Sequence, residues 1–129
     1  MIVLDTHAVL WLAELPELLS ERAKDAISVA RRQDGVAIAS KTLWELAMLI
    51  SRGRVGVRTS SRDFLEAVER NFTVLPITSA IAERAVQFSK RYPSDPADRL
   101  IGATAMVNGL ALVTKDQGIR GSGEVDCVW

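Results

Sequence analysis

Residues 95–116 read DPADRLIGATAMVNGLALVTKD, and their punctuation decides how the chain folds. Asp95 followed by Pro96 places a capping carboxylate and then a residue with no N–H to leave unpaired, the signature of a helix start. That helix runs to Asn108, with Gly109 as its C-terminal residue. Leu110–Val113 is then a short apolar run that reads as a buried strand. A helix of about 12 residues, rising ~1.5 Å per residue, returns the chain by the length of a short strand. Helix and strand therefore form the repeating unit of an α/β domain.

The same alternation extends in both directions. Ile2–Leu4, Val36–Ala39, Val74–Leu75, Leu110–Val113 and Val125–Val128 read as strands one to five of a parallel sheet. Between them, Leu19, Ala23, Ala26, Ile27 and Ala30 share one helical face, and Gly35 stops that helix. Ser40 is a suitable N-cap for a helix that turns Leu43, Leu46, Ala47 and Ile50 inward and ends near Gly53. Phe64, Leu65 and Val68 mark another helix. Ile81, Ala85, Phe88 and Tyr92 mark one more, which Pro93 terminates. Arg52–Ser61, with two glycines and a run of positive charge, reads as an exposed loop.

Composition narrows the class. The 129 residues suit a single domain, 1–129, and carry 16 Lys+Arg against 16 Asp+Glu. One cysteine, Cys127, excludes an internal disulfide and a Cys-rich zinc site, which points to a reducing, cytoplasmic setting. The start, MIVLDTHAVLW, lacks the basic flank of a secretory signal. The longest uncharged stretch, Leu100–Thr114, is shorter than the ~20 apolar residues of a spanning helix, so no membrane partner is expected. The zero net charge argues at first against nucleic-acid binding.

The acids are more informative than their sum. Asp5 directly follows the first strand, and Asp116 lies just beyond the fourth. Asp98 sits in the first turn of the helix that feeds the fourth strand, and Glu45 in the second turn of the helix after the second. In a parallel sheet all four fall at the carboxyl edge, where open α/β sheets place their ligands. Clustered carboxylates repel, and a hard divalent cation, Mg²⁺ or Mn²⁺, relieves that repulsion through oxygen ligands, water and substrate phosphate. Such a site suits metal-dependent phosphodiester hydrolysis. Each acid also has a plainer role: Asp5 could end a strand or cap the next helix, Glu45 could be an ordinary solvated helix residue, Asp116 could belong to a turn at KDQG, and Asp98 favours its helix dipole. For Asp95 the N-cap role is sufficient.

LDTHAVLW near the start, S-x-x-x-W-E-L at Ser40–Leu46, DPADRLIGATA at Asp95–Ala105 and LVTKD at Leu112–Asp116 together resemble the PIN domain family, in particular the small VapC-type toxins of bacterial toxin–antitoxin pairs. The resemblance spans essentially the whole chain. It implies a three-layer α/β/α sandwich with a five-stranded parallel sheet, and an Mg²⁺- or Mn²⁺-dependent endoribonuclease. It also implies a quartet of Asp5, Glu45, Asp98 and Asp116 as both catalytic and metal-binding residues, with hydroxyl support from Thr6 and Thr114. RNA as substrate, a homodimer, a cognate antitoxin, and DNA contact only through that antitoxin are further implications. Ala97 and Gly102 depart from the large aromatic residue and the alanine common at those positions.

Other residues invite roles. His7 reads as a local hydrogen-bonding residue rather than a general base, and Trp11 and Trp44 as core or dimer surface rather than base-stacking platforms. Trp129 gives no signal. Arg99 and Lys115 either touch substrate phosphates or soften the acidic cluster, while Arg52, Arg54, Arg58 and Arg62 read as exposed. A phosphoacceptor receiver would need an acid closing the third strand, where VLPIT stands, and a D-x-D phosphatase would need an acid at His7. The remaining alternative is a non-catalytic PIN-like binding or regulatory module. Setting the four quartet acids aside leaves 16 bases against 12 acids, so the neutral sum conceals an acidic pocket in a mildly basic surface.

Overall fold

A computed structural model describes all 129 residues, Met1–Trp129. Its elements in chain order are β1 (Ile2–Leu4), α1 (Thr6–Glu14), a 3₁₀ turn at Pro16–Leu18, α2 (Glu21–Arg32), β2 (Val36–Ala39), α3 (Ser40–Ser51), α4 (Ser61–Asn71), β3 (Thr73–Leu75), α5 (Ser79–Gln87), α6 (Pro96–Val107), β4 (Leu112–Val113), α7 (Gln117–Ser122) and β5 (Cys127–Val128). The five strands form one sheet in the order β3-β2-β1-β4-β5, every pair parallel.

Strand alternation explains the layers. Val3, Ala37 and Leu112 face one side of the sheet, where they pack with Ile81, Ala85, Phe88, Tyr92 and Ile101 around α5 and α6. Leu4, Ile38 and Val113 face the other side, packing with residues of α1 to α4, among them Val9, Ile27, Leu46 and Phe64. The result is the expected α/β/α sandwich, with β1 buried at its centre.

Register fixes the functional edge. Leu4 pairs with Val113, so β1 and β4 end level, and the Asp5 N–H donates to the Val113 carbonyl at 3.1 Å. Beside this pair the strand order switches direction, with β2 on one flank of β1 and β4 on the other.

Several boundaries differ from the sequence reading. The fourth and fifth strands shrink to Leu112–Val113 and Cys127–Val128, and the third gains Thr73. Ser40 is the first helical residue of α3 instead of its cap, because β2 enters the helix without a loop and Ala39 takes the cap position. Helix α5 stops at Gln87, short of Phe88 and Tyr92, because its end is held by another helix. Arg99 of α6 donates to the carbonyls of Ala85 and Phe88 at 3.2 and 3.3 Å, and to those of Pro93 and Ser89 at 3.0 and 3.4 Å. Those bonds replace the helical partners that continuation would have supplied. Phe88 and Tyr92 are still buried, stacked with ring centroids 3.9 Å apart. No helix is long and apolar enough to cross a membrane.

Candidate active site

The acids of the functional edge are placed by helix starts. Asp5 caps α1, its Oδ1 accepting from the Ala8 N–H at 2.8 Å, and Asp116 caps α7 through Oδ1 and the Ile119 N–H at 2.9 Å. Asp95 caps α6, accepting from the N–H groups of Ala97 and Asp98 at 2.7 and 3.4 Å. The capping role and the position at the pocket are thus compatible: a cap uses one carboxylate oxygen, and the group as a whole borders the cavity. Asp98 follows in the first turn of α6, and its carbonyl accepts from the Tyr92 hydroxyl at 2.7 Å. Glu45 reaches across from α3, where its Oε1 accepts from the Thr6 hydroxyl at 2.6 Å.

These side chains line one cavity of about 540 Å³, bounded by Asp5, Thr6, His7, Trp11, Glu45, Asp95, Asp98, Lys115 and Asp116. All four acids of the sequence-derived quartet are brought together, and Asp95 joins them. None of the five is in an ion pair: the salt bridges of the molecule involve Asp34, Glu21, Glu14 and Glu66 instead. Neutral donors stabilise the pocket in their place. Thr6 and Thr42 are buried, with their hydroxyl oxygens 3.3 Å apart, so Thr42 can donate to Thr6 while Thr6 donates to Glu45. Thr114, fully buried, accepts from the Asp116 N–H at 3.1 Å, and the nearness of its side chain works against the rise of the Asp5 carboxyl.

The electrostatics show what the pocket lacks. Burial, and next the carboxylates of Asp95, Asp116, Glu45 and Asp5, push Asp98 up to about 7. Asp5 is also raised, chiefly by burial, against the opposing pull of the Thr114 side chain and the Ala8 N–H. A carboxyl pushed up to about 7 and a second one raised by burial, neither in an ion pair, mark a place that a cation would stabilise. No three His, Cys, Asp or Glu side chains close into a tight cage. An open arrangement of oxygen donors matches the way Mg²⁺ binds, through one or two carboxylates with waters and substrate phosphate completing the shell.

The neighbouring residues depart from the sequence reading. Arg99 points away from the cavity and serves α5, so it neither softens the acids nor faces a substrate. Lys115 and His7 are the basic residues on the cavity wall, Lys115 the one that carries a permanent charge at neutral pH. His7 tilts against the Trp11 ring at 5.7 Å instead of making a local hydrogen bond. Trp11 is half-buried, packing against the edge of the core as expected while it also lines the cavity, and Trp129 packs on it with ring centroids 5.7 Å apart. Trp44 is 56% exposed, with the Lys41 ammonium 3.9 Å above its ring. The four arginines at 52, 54, 58 and 62 are exposed as expected, Arg58 meeting Glu14 and Arg62 meeting Glu66. Thr42 and Tyr92 went unread as supports of the site. The available signal for Thr42 was its place one helical turn before Glu45, on the same face of α3.

A model of the PIN domain family matches residues 2–122. The chain belongs to the PIN domain family. This PIN domain is 36% identical over 119 residues to Ribonuclease VapC22 of Mycobacterium tuberculosis, a match that covers 92% of this chain and 89% of that protein. Its fold is shared with VapBC2 from Rickettsia felis, crystallised with a DNA fragment from its promoter, at a TM-score of 0.75 and 15% identity over 98% of this chain and 97% of that one. VapBC-1 from nontypeable Haemophilus influenzae is similar at a TM-score of 0.73 and 16% identity, over 98% and 96% of the two chains.

Proposed function

We propose that this PIN domain is a metal-dependent endoribonuclease that hydrolyses RNA phosphodiester bonds and acts as the toxin of a toxin–antitoxin pair. The observation that carries the reading is the convergence of Asp5, Glu45, Asp98 and Asp116 on one cavity, none of them in an ion pair, in a chain 36% identical to a ribonuclease. The same four carboxylates would hold Mg²⁺ or Mn²⁺. When bound, such an ion supplies positive charge to the phosphodiester and to a water nucleophile at neutral pH.

The protein's own part is preorganisation. The Ala8 N–H holds Asp5, Thr6 holds Glu45, and the Ile119 N–H holds Asp116. Three of the four carboxylates are therefore fixed by a group on a buried residue before any ligand arrives. Asp98, raised by burial and by the carboxylates around it, is an acid whose charge a bound cation would offset. Lys115 offers the rim a positive charge for the RNA backbone.

The toxin reading brings with it a cognate antitoxin, DNA reached only through that antitoxin, a homodimeric toxin and a cytoplasmic site of action, of which the solved VapBC complexes support the antitoxin and the DNA. The test is cleavage of RNA by the purified protein. EDTA should stop cleavage and added Mg²⁺ or Mn²⁺ should restore it, whereas chelator-resistant cleavage would overturn the metal-dependent mechanism. Co-expression with the product of an adjacent short reading frame should yield a stable complex.

A further inference from the structure

The cavity has one apolar wall, and the acids do not account for it. Trp11 is the single hydrophobic residue lining the site. It lies one helical turn beyond His7 on the outer face of α1, whose inner face buries Thr6, Ala8, Val9 and Leu10. Six residues of helix separate it from Asp5, about 9 Å along the axis, so its ring stands beyond the carboxylates. The ring is half-buried and braced by Trp129 at a tilt of 56°, and the Lys115 ammonium lies 5.7 Å from its centroid.

A phosphate chain entering this cavity meets carboxylates at one end and an indole with an ammonium at the other. A carboxylate wall offers a nucleobase only hydrogen-bond acceptors for its edge and no face to stack on, whereas an indole face stacks on any of the four. Lys115, attached next to Asp116 and set against the indole, is placed to meet the phosphate between a stacked base and the cutting site. We propose that Trp11, with Lys115 beside it, is a positioning subsite that stacks one unpaired base of the RNA next to the bond to be cut. The subsite rests on the ribonuclease reading above for its ligand, and it adds a requirement: the base must be free of a duplex, because a paired base has no open face to give.

The test uses the full chain carrying Asp98→Asn, so that bound RNA survives, and two labelled probes: a mixed-sequence single-stranded RNA 12-mer and an abasic ribose-phosphate 12-mer. Fluorescence anisotropy reads the affinity of each. Adding Trp11→Ala should weaken the base-containing RNA by roughly fivefold to 150-fold and leave the abasic chain unchanged, the range that follows from stacking energies per base. Trp11→Phe should recover most of the loss, which separates stacking from mere packing of α1. Equal weakening of both probes, or no weakening, would overturn the subsite. Cleavage of total RNA by the Mn²⁺-loaded parent protein is run alongside. Absence of cleavage there refutes the ribonuclease reading whatever Trp11 does, while cleavage with a Trp11→Ala variant that still binds both probes as its parent does refutes the subsite alone.

Discussion

Gly102→Ala should be strongly destabilising, although alanine is the better helix former. A Cβ at position 102 would lie 2.0 Å from the Tyr92 hydroxyl oxygen, 2.8 Å from Tyr92 Cζ and 3.3 Å from Phe88 Cζ. Tyr92 has little room to yield. It is 2% exposed, its hydroxyl is bonded to the Asp98 carbonyl at 2.7 Å, and its ring stacks on Phe88. Overpacking of this kind costs about 1–3 kcal/mol. Breaking the buried hydroxyl's bond adds about 1–3 kcal/mol. The helix propensity of alanine offsets about 1 kcal/mol of that. The net is a loss of roughly 1–5 kcal/mol, equivalent to a fall in Tm of roughly 4–20 °C for a chain of this length. Urea denaturation followed by circular dichroism measures it directly. Tyr92→Phe in the same chain removes the shortest contact and should return part of the loss, leaving the 2.8 Å ring contact unrelieved. A Gly102→Ala variant within 0.5 kcal/mol of its parent, a limit of about the scatter of neutral surface substitutions, would refute the reasoning. The contact also bears on function, because Tyr92 anchors the turn of α6 that presents Asp98.

Arg99→Ala should cost roughly 2–4 kcal/mol by leaving the carbonyls at the end of α5 without their charged donor. Loss of RNA cleavage with unchanged stability would instead make Arg99 a substrate contact. In EDTA, the Tm should rise as pH is lowered from about 8 to about 5, since a carboxyl held near 7 in the folded state and at 3.8 when free binds its proton more tightly folded than unfolded. The same sign holds for Asp5, also raised by folding. Saturating Mn²⁺ should raise the Tm most at the alkaline end, because cation and protons compete for the same oxygens. A Tm in EDTA that falls over this window would contradict the picture of uncompensated carboxylates.

The parallel sheet and the quartet were legible because short-range chemistry specifies both. Strand length, the Asp95-Pro96 start and the Gly109 stop set the direction of α6, and direction alone puts Asp98 level with Asp5 and Asp116. Illegible from sequence were features set by contacts between distant elements. The end of α5 is decided by Arg99, eleven residues beyond Phe88 and on another helix, so helical periodicity carried the expected helix too far. The same periodicity still identified the right core, since Phe88 and Tyr92 are buried without being helical. Gly102 was conspicuous only as a departure from the family, and its cause is a tyrosine hydroxyl ten residues upstream. Trp11 was half-legible: it packs on the edge of the core as an apolar helix residue should, but that Val9 and Leu10 take the buried side and leave its ring on the cavity wall is set by the packing of α1.

The central claim is that Asp5, Glu45, Asp98 and Asp116 together hold the cation that cuts RNA. Its most direct test is an Mn²⁺ titration of RNA cleavage by the parent protein and by Asp5→Asn and Asp98→Asn, with circular dichroism confirming that each variant is folded. The account predicts a saturable rise in cleavage for the parent and none for either variant. Full, metal-stimulated cleavage by a folded Asp98→Asn protein would contradict it.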